Sequence, residues 1–412
     1  MVDLPIGRRV AYWRGRRSMS QQIFADRLGK SKSWVDKVER GVRRLDKFSV
    51  VNDIADVLNV DVQLLMGRDP ERRPGTSACM DQSEVDNIRT ALERYEQVNA
   101  FHRQIEPPCL DQLRKSVQHA WMVYQHSRYE VLVRLVPRLL RDAQAAEAAS
   151  PAGEVPDEGD GPSATHLLGQ VYQIVSSAMR KVGELELAWL AADRGIAVAE
   201  RSGDPLLAGS ASYRVGNAML ALGRARSALE INLSIANRLA TEDGGARADH
   251  ASVYGMLLLQ GAMAAARIGD AATVHDLIAG AEAAAAVVGP NRNYYWTSFG
   301  PTNVELHRAA AAVELGEGGL AVQTHEKLDP VGFAALPPER RAHHYVDLAR
   351  GLAQEGDIER ASEMLLEGDR LAPSEIRCRP LAHEVLSDVL RRTKGTPSGP
   401  VAELAETMGV RI

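Results

Sequence analysis

Basic side chains are the most concentrated chemistry-bearing groups in this sequence, and they lie near its N-terminus. Residues 1–50 contain thirteen Lys and Arg against five Asp and Glu, a local charge of +8 in a chain whose net charge is −5. Residues 51–412 therefore carry −13. Guanidinium and ammonium groups clustered in this way favour contact with a polyanion. The charge distribution predicts that the first part binds a polyanion while the remainder has another task.

Catalytic and metal-binding patterns are missing from the sequence. The eleven histidines form no HExxH pattern and no Cys/His metal spacing, and no GxSxG occurs. The glycine-rich segment at 316–321 lacks the Lys of a phosphate-binding loop, so a turn is expected there. We therefore expect no enzyme, no metal site and no cofactor.

Five short helices are expected between residues 6 and 66, a segment that we call the head. Ser20 and Ser31 are suited to cap the second and third helices, and Gly29 and Gly41 to end them. The Gly-Lys-Ser turn between these two helices is typical of a helix-turn-helix unit.

The run from Ser20 to Gly67 (SQQIFADRLGKSKSWVDKVERGVRRLDKFSVVNDIADVLNVDVQLLMG) resembles the Cro/CI-type, or XRE-family, helix-turn-helix of transcriptional regulators. The Ser-Gln start, Ala25, Gly29 and the Glu-Arg-Gly stop at 39–41 carry the resemblance. It implies that the third helix enters the major groove of double-stranded DNA. The implied base-reading residues are Lys32, Ser33, Trp34 and Lys37, and the implied phosphate contacts are Gln21, Gln22, Arg40, Arg43 and Arg44.

A repeat occupies most of the remaining chain, residues 83–412, which we call the body. A glycine followed by a helix recurs with spacings of 40, 46, 47 and 40, at Gly183, Gly223, Gly269, Gly316 and Gly356. Helical hairpins at this period resemble tetratricopeptide repeats with lengthened loops and predict an all-α solenoid. The expected divisions are a linker at 67–82, a helical segment at 83–148, an acidic loop at 149–164, repeats at 165–395 and a tail at 396–412.

The concave face of such a solenoid is a candidate ligand groove, because the first helix of each hairpin builds it. One polar and aromatic stretch, residues 291–307, places Asn303 and His307 on one helical face at i, i+4. The alternative is that its aromatic residues plug a joint between repeats. The groove candidates are Arg214, Asn217, Tyr254, Gln260, Trp296, Asn303, His307 and His344.

The expected function is that of a one-component, sequence-specific transcriptional regulator with a homodimeric body and an inverted-repeat operator. The architecture resembles the peptide-sensing regulators of Gram-positive bacteria, which implies a peptide or small-molecule effector, with Asn217 and Asn303 as the best matches to their peptide-holding asparagines. One alternative is a DNA-tethered interaction protein whose repeats bind a protein partner. Another is a structural dimer that binds no ligand.

A cytoplasmic location is expected, with no membrane partner. The N-terminal residues are charged where a signal peptide would be apolar, and the most apolar run, 254–266, is too short to span a membrane. The three cysteines are far apart and favour neither a disulfide framework nor a metal site.

Overall fold

The computed structural model describes residues 5–17, 19–45, 47–58, 60, 62–66, 81–93, 108–150, 162–240 and 247–410. Within these ranges the regular elements are helices, apart from one isolated bridge between Arg292 and Phe299. The all-α expectation is therefore confirmed. The linker expected at 67–82 and the acidic loop expected at 149–164 lie almost wholly outside the described residues.

The head contains the five expected helices: α1 (Ile6–Arg16), α2 (Gln21–Arg27), α3 (Lys32–Glu39), α4 (Phe48–Leu58) and α5 (Val62–Met66). The Ser20 hydroxyl accepts from the Ile23 amide at 3.2 Å, and the Ser31 hydroxyl accepts from the Trp34 amide at 3.1 Å. Each serine thus satisfies one amide that the first helical turn leaves without a partner. Buried side chains of these helices form one core, which includes Val10, Phe24, Val35, Ile54 and Leu58.

Three helices connect the head to the repeats: α6 (Gln82–Leu92), α7 (Leu110–Gln125) and α8 (Tyr129–Ala149). Within the helical segment expected at 83–148, the sequence predicts helices at 83–102, 110–125 and 129–148, and the bounds of α7 and α8 agree with the last two to within one residue. The helix expected to run from Ser83 to about His102 ends at Leu92, and residues 94–107 lie outside the described part of the chain.

Five helical hairpins follow, each turning at one of the five recurrent glycines, whose φ angles lie between 78° and 92°. This left-handed conformation strains other residues, which explains the glycine at each turn. The hairpins are α9–α10 (Ala164–Lys181, Leu185–Arg201), α11–α12 (Pro205–Ala221, Ala225–Ala240), α13–α14 (Ala248–Ile268, Ala271–Val288), α15–α16 (Pro301–Leu315, Gly318–Glu326) and, after the short α17 (Pro330–Ala334), α18–α19 (Pro338–Glu355, Ile358–Leu371).

The C-terminal part comprises α20 (Pro373–Arg377), α21 (Pro380–Arg392) and α22 (Gly399–Thr407). The segment expected to be a tail, 396–412, thus carries a helix. Val401, Leu404 and Ala405 of α22 are buried in the core that α18, α19 and α21 share. Packing of these apolar side chains makes α22 part of the body.

Contacts between the two ends of the body close the solenoid around its inner face. The Tyr129 hydroxyl of α8 donates to the Glu375 carboxylate of α20, and the Ser374 hydroxyl donates to Glu130 at 2.7 Å. Helix α7 also contacts α18. These contacts bring the two ends of the body together across the inner face.

The head lies against the hairpin turns of the body. A β-carbon added to Gly269 would be 3.0 Å from the Ser49 hydroxyl oxygen, and one added to Gly316 would be 3.1 Å from Cγ of Lys47. Helix α4 packs on α13. The head therefore contacts the body directly.

Two described helices, α13 and α14, are long and apolar enough to cross a membrane by length and composition. The run at 254–266 was expected to be too short to span a membrane, but the helix that contains it, α13, has 21 residues. The apolar window of α13 is 78% buried in the core of the body. The corresponding window of α14 is 33% buried. Buried core helices pass the same length test, so this finding is weak evidence for a membrane span.

One cysteine also differs from the expectation. Cys378 is disulfide-bonded, whereas Cys109 is exposed and unbonded. Sequence separation does not limit which cysteines a fold brings together, so scattered positions could not exclude this bond.

Candidate DNA-binding surface and ligand cavity

Helix α3 presents a polar outer face and an apolar inner face. Lys32, Ser33 and Lys37 are exposed, and Trp34 is half-buried. Val35 and Val38 are buried beneath them. The four predicted base-reading residues therefore lie where a DNA groove could reach them.

A buried carboxylate holds the first three helices together. Glu39 of α3 is 6% exposed and receives two hydrogen bonds from Arg14 of α1, at 2.5 and 3.0 Å. The Gln21 amide of α2 donates to the same carboxylate at 2.8 Å. Gln21, a predicted phosphate contact, thus orients the helix-turn-helix from inside. The Glu-Arg-Gly pattern indicates only a helix stop at Glu39, and an acidic residue opposite a basic helix is the sequence signal for this second role.

The other predicted phosphate contacts are exposed and differ in their partners. Arg40 forms an ion pair with Asp36 at 2.6 Å, which offsets the charge of a carboxylate on the DNA-facing helix. The Arg43 guanidinium lies 5.9 Å from the Trp34 ring centroid. Gln22 donates to Asp26 at 2.8 Å, and Arg44 is exposed.

The body encloses a cavity of about 620 Å³. Its wall is built chiefly by the first helices of the hairpins, α9, α11, α13, α15 and α18, and it is completed by α7 and the start of α21. The wall mixes apolar side chains, including Leu220, Met263 and Leu306, with many charged ones. Cavities of this size and composition hold small organic ligands.

Four of the eight predicted groove residues line this cavity: Asn217, Gln260, His307 and His344. Burial lowers the pKa of His307 to about 3, with the nearby Arg340 adding to the effect. Burial also lowers the pKa of His344 to about 3. Both imidazoles are neutral at pH 7 and offer hydrogen bonds without a charge.

The other four predicted groove residues are not on the cavity wall, and their assignment is corrected. Asn303 is fully buried, and its amide donates to the Met256 sulfur at 3.6 Å. Tyr254 packs against the core around α13. Arg214 is 4% exposed and lies over aromatic rings behind the wall. Trp296 borders a separate cavity of about 360 Å³.

Trp296 belongs to a loop that bridges distant helices. Its ring stacks on Trp121 of α7 at a centroid distance of 5.6 Å, and Phe299 packs against Gly255, where a β-carbon would lie 2.0 Å from the ring. Tyr295, Trp296 and Ser298 all have positive φ angles. These aromatic side chains plug a joint between repeats, which was the alternative interpretation of this stretch.

A cluster of buried charges lies beside the cavity. The Lys181 ammonium is fully buried, contacts the Glu339 carboxylate and donates to Glu375 at 2.5 Å. Arg379 donates to Glu375 at 2.9 Å. Glu339, His343 and Glu375 have donor atoms within 4.8 Å of one another, a spacing that could hold a metal ion. Lys181 already supplies a positive charge to both carboxylates.

Comparison with known proteins identifies the head alone. No curated protein and no solved structure matches the chain. Residues 5–65 match a family model described as a helix-turn-helix domain, which covers α1 to α5 except Met66. The head is a helix-turn-helix domain of the kind found in DNA-binding regulators.

Proposed function

We propose that this chain is a one-component transcriptional regulator of the cytoplasm, in which a ligand in the body cavity controls DNA binding by the head. The observation that carries the proposal is the cavity inside a body to which the DNA-binding head is attached. The role is regulatory and not catalytic.

The shape of the inner face favours a small effector over a protein partner. A repeat domain that binds a protein uses an extended, accessible concave surface. Here contacts between α8 and α20 close that surface, and apolar side chains line the space within. A small molecule or a short peptide fits the geometry best.

The contacts between the head and the body connect the helices that line the cavity to the DNA-binding domain. Helices α13 and α15 carry cavity-lining residues, and their C-terminal turns, Gly269 and Gly316, lie against Ser49 and Lys47 of the head. A ligand that shifts these helices would change where the head sits. The ligand can change the position of the head only if it binds the body with shifted helices more tightly than the body with unshifted helices.

Sequence reading by α3 is the first test of the proposal. We expect Lys32→Ala to weaken binding to a selected duplex site by about 1–3 kcal/mol and to relax base preference, because a Lys contact to guanine would be lost. Arg43→Ala should weaken binding to selected and random duplexes alike and reduce the dependence on salt. Fluorescence anisotropy at several salt concentrations measures both.

The matched control is Arg308→Ala, since Arg308 is on α15 of the body and pairs with Glu282 and Glu305. It should leave DNA affinity unchanged. Equal losses on selected and random DNA for Lys32→Ala would refute its base-reading role.

We further propose a homodimer held by the body. Two heads bound to an inverted repeat, with half-sites about 34–36 Å apart, make more contacts with DNA than one head alone. Helix α14 is the first surface to test, since its outer face exposes Ala279, Ala283, Ala286 and Val287 beside the charged Asp276 and Glu282. Light scattering of the full chain should give twice 44.8 kDa.

A charge on that face, Ala283→Glu, should yield the monomer, whereas the same change at the exposed Ala335 should not. A wild-type monomer in the absence of DNA would contradict the dimer.

A further inference from the structure

Three arginines from three different hairpins converge on one phenol at the cavity wall. Arg180 comes from α9, Arg214 from α11 and Arg340 from α18, and the Arg214 guanidinium lies 4.5 Å from the centroid of the Tyr213 ring. Burial would raise the pKa of Tyr213, yet the combined charge of the three arginines lowers it to about 8. Positive charge nearby favours the charged form of a buried phenol, and a hydrogen bond with Asn217 adds to the effect.

Among the described residues, carboxylates match the charge of these three arginines only in part, whereas buried guanidiniums ordinarily have such partners. Arg180 lines the cavity and has no hydrogen bond or ion pair with any residue that the structure describes. Arg214 has two nitrogens, Nε and Nη2, without a bond. Arg340 has its nearest carboxylate, that of Glu339, at 4.0 Å, and Glu339 is already bound to Lys181.

Other cations on the same wall are neutralised, which sets this corner apart. Arg267 and Arg350 each lie 2.9 Å from the Glu314 carboxylate, and Arg379 lies 2.9 Å from Glu375. The excess charge is therefore confined to the corner around Tyr213. Isolated charges in a low-dielectric interior are costly, so this corner is suited to receive a negative charge.

The rest of the wall determines what such an anion must be attached to. Apolar side chains from α11, α13, α15 and α21 face the cavity: Leu220, Leu222, Met263, Leu306 and Leu381. Polar groups line the wall as well: the Asn217 and Gln260 amides and the His307 ring are neutral, and Glu184, Glu314, Arg267 and Arg350 are charged. The wall thus combines apolar side chains, arginines that are paired with carboxylates, and the arginines of the corner around Tyr213.

We propose that the cavity binds a small organic anion with an apolar body, whose anionic group is held by Arg180 and Arg340 beside Tyr213. This inference rests on the proposed function, since it names the chemical class of the effector. A guanidinium presents paired N–H donors that match the two oxygens of a carboxylate or sulfonate. Arg214, behind Tyr213, adds charge and no direct contact.

Two dyes with the same aromatic body separate the anion from the apolar part. The probes are 8-anilinonaphthalene-1-sulfonate and its neutral analogue N-phenyl-1-naphthylamine, titrated by fluorescence against the full chain. We expect the wild type to bind the sulfonate about tenfold to a hundredfold more tightly, as charge-assisted hydrogen bonds to a buried arginine allow. Arg180→Met should remove most of that preference and leave the affinity for the neutral dye unchanged or higher.

Three control variants make the result specific. Arg308→Met makes the same change outside the cavity and should retain the preference. Ala310→Trp fills the cavity and should weaken both dyes, which locates the site. Arg180→Lys should retain part of the preference for the sulfonate. The thermal midpoint of Arg180→Met should not fall, because no carboxylate loses a partner.

The outcomes distinguish this inference from the proposed function. If both dyes bind with equal affinity, and Arg180→Met changes neither, the cavity accepts ligands but the anion assignment is wrong. If neither dye binds, or if Ala310→Trp leaves both affinities unchanged, the cavity is not the ligand site and the proposed function fails with it.

Discussion

Replacing Lys181 with Met is expected to lower the free energy of unfolding by about 3–5 kcal/mol. The ammonium group is fully buried between the carboxylates of Glu339 and Glu375. Burial would raise the pKa of Glu339, but the positive charges of Lys181 and Arg340 lower it to about 2. Without Lys181, two buried carboxylates repel each other, and Glu339 loses its closest partner. Guanidinium unfolding at pH 7.5, followed by circular dichroism, measures the loss.

Lowering the pH should reduce the difference in unfolding free energy between the wild type and Lys181→Met. In the wild type, stability from the depressed pKa of Glu339 is present above its unfolded value near 4.5 and is lost as the pH falls toward 2. In the variant, the unpaired carboxylate can take up a proton at a higher pH, which relieves the repulsion.

Two further variants isolate the buried charge. Arg370→Met breaks an exposed pair with Glu367 and should cost no more than about 1 kcal/mol. Glu339→Gln added to Lys181→Met should recover part of the loss. A Lys181→Met protein as stable as the wild type at pH 7.5 would show that the cluster does not hold the body together.

Filling the cavity is expected to abolish effector control of DNA binding. Ala310 faces the cavity from α15, whose C-terminal turn contacts the head. Coupling of about 1–3 kcal/mol would make the wild-type affinity for its site respond roughly 5- to 150-fold to the effector. Ala310→Trp should remove that response because the ligand is excluded. Ala335→Trp, at an exposed position outside the cavity wall, is the control and should respond like the wild type.

Features that depend on neighbouring residues could be predicted from the sequence. Ser20 and Ser31 cap helices that begin one residue later, and each hairpin glycine adopts the left-handed angle its turn requires. Such signals act over a few residues, so periodicity and spacing reveal them. The helix-turn-helix and the all-α repeats could be recognised for this reason.

Features that depend on distant residues could not be predicted. Tyr129 and Glu375, which help to close the body, are 246 residues apart. Because the two ends of the body contact each other, the inner face forms a cavity where a groove was expected. The same contact determines which side chains line the cavity. Asn303 and His307 are one helical turn apart, yet His307 lines the cavity while Asn303 is buried against Met256. Arg180, near the end of α9, resembles an ordinary cation at a helix terminus, and only the fold reveals that no described residue forms a hydrogen bond or ion pair with it.

The central claim is that occupancy of the body cavity changes the affinity of the head for DNA. Its most direct test is the dissociation constant of the full chain for a duplex selected from a random pool, measured without ligand and with the small molecule that co-purifies with the protein. Mass spectrometry identifies that molecule, and calorimetry establishes that it binds. We expect at least an approximately fivefold change for the wild type and none for Ala310→Trp. An unchanged dissociation constant with the cavity demonstrably occupied would contradict the account.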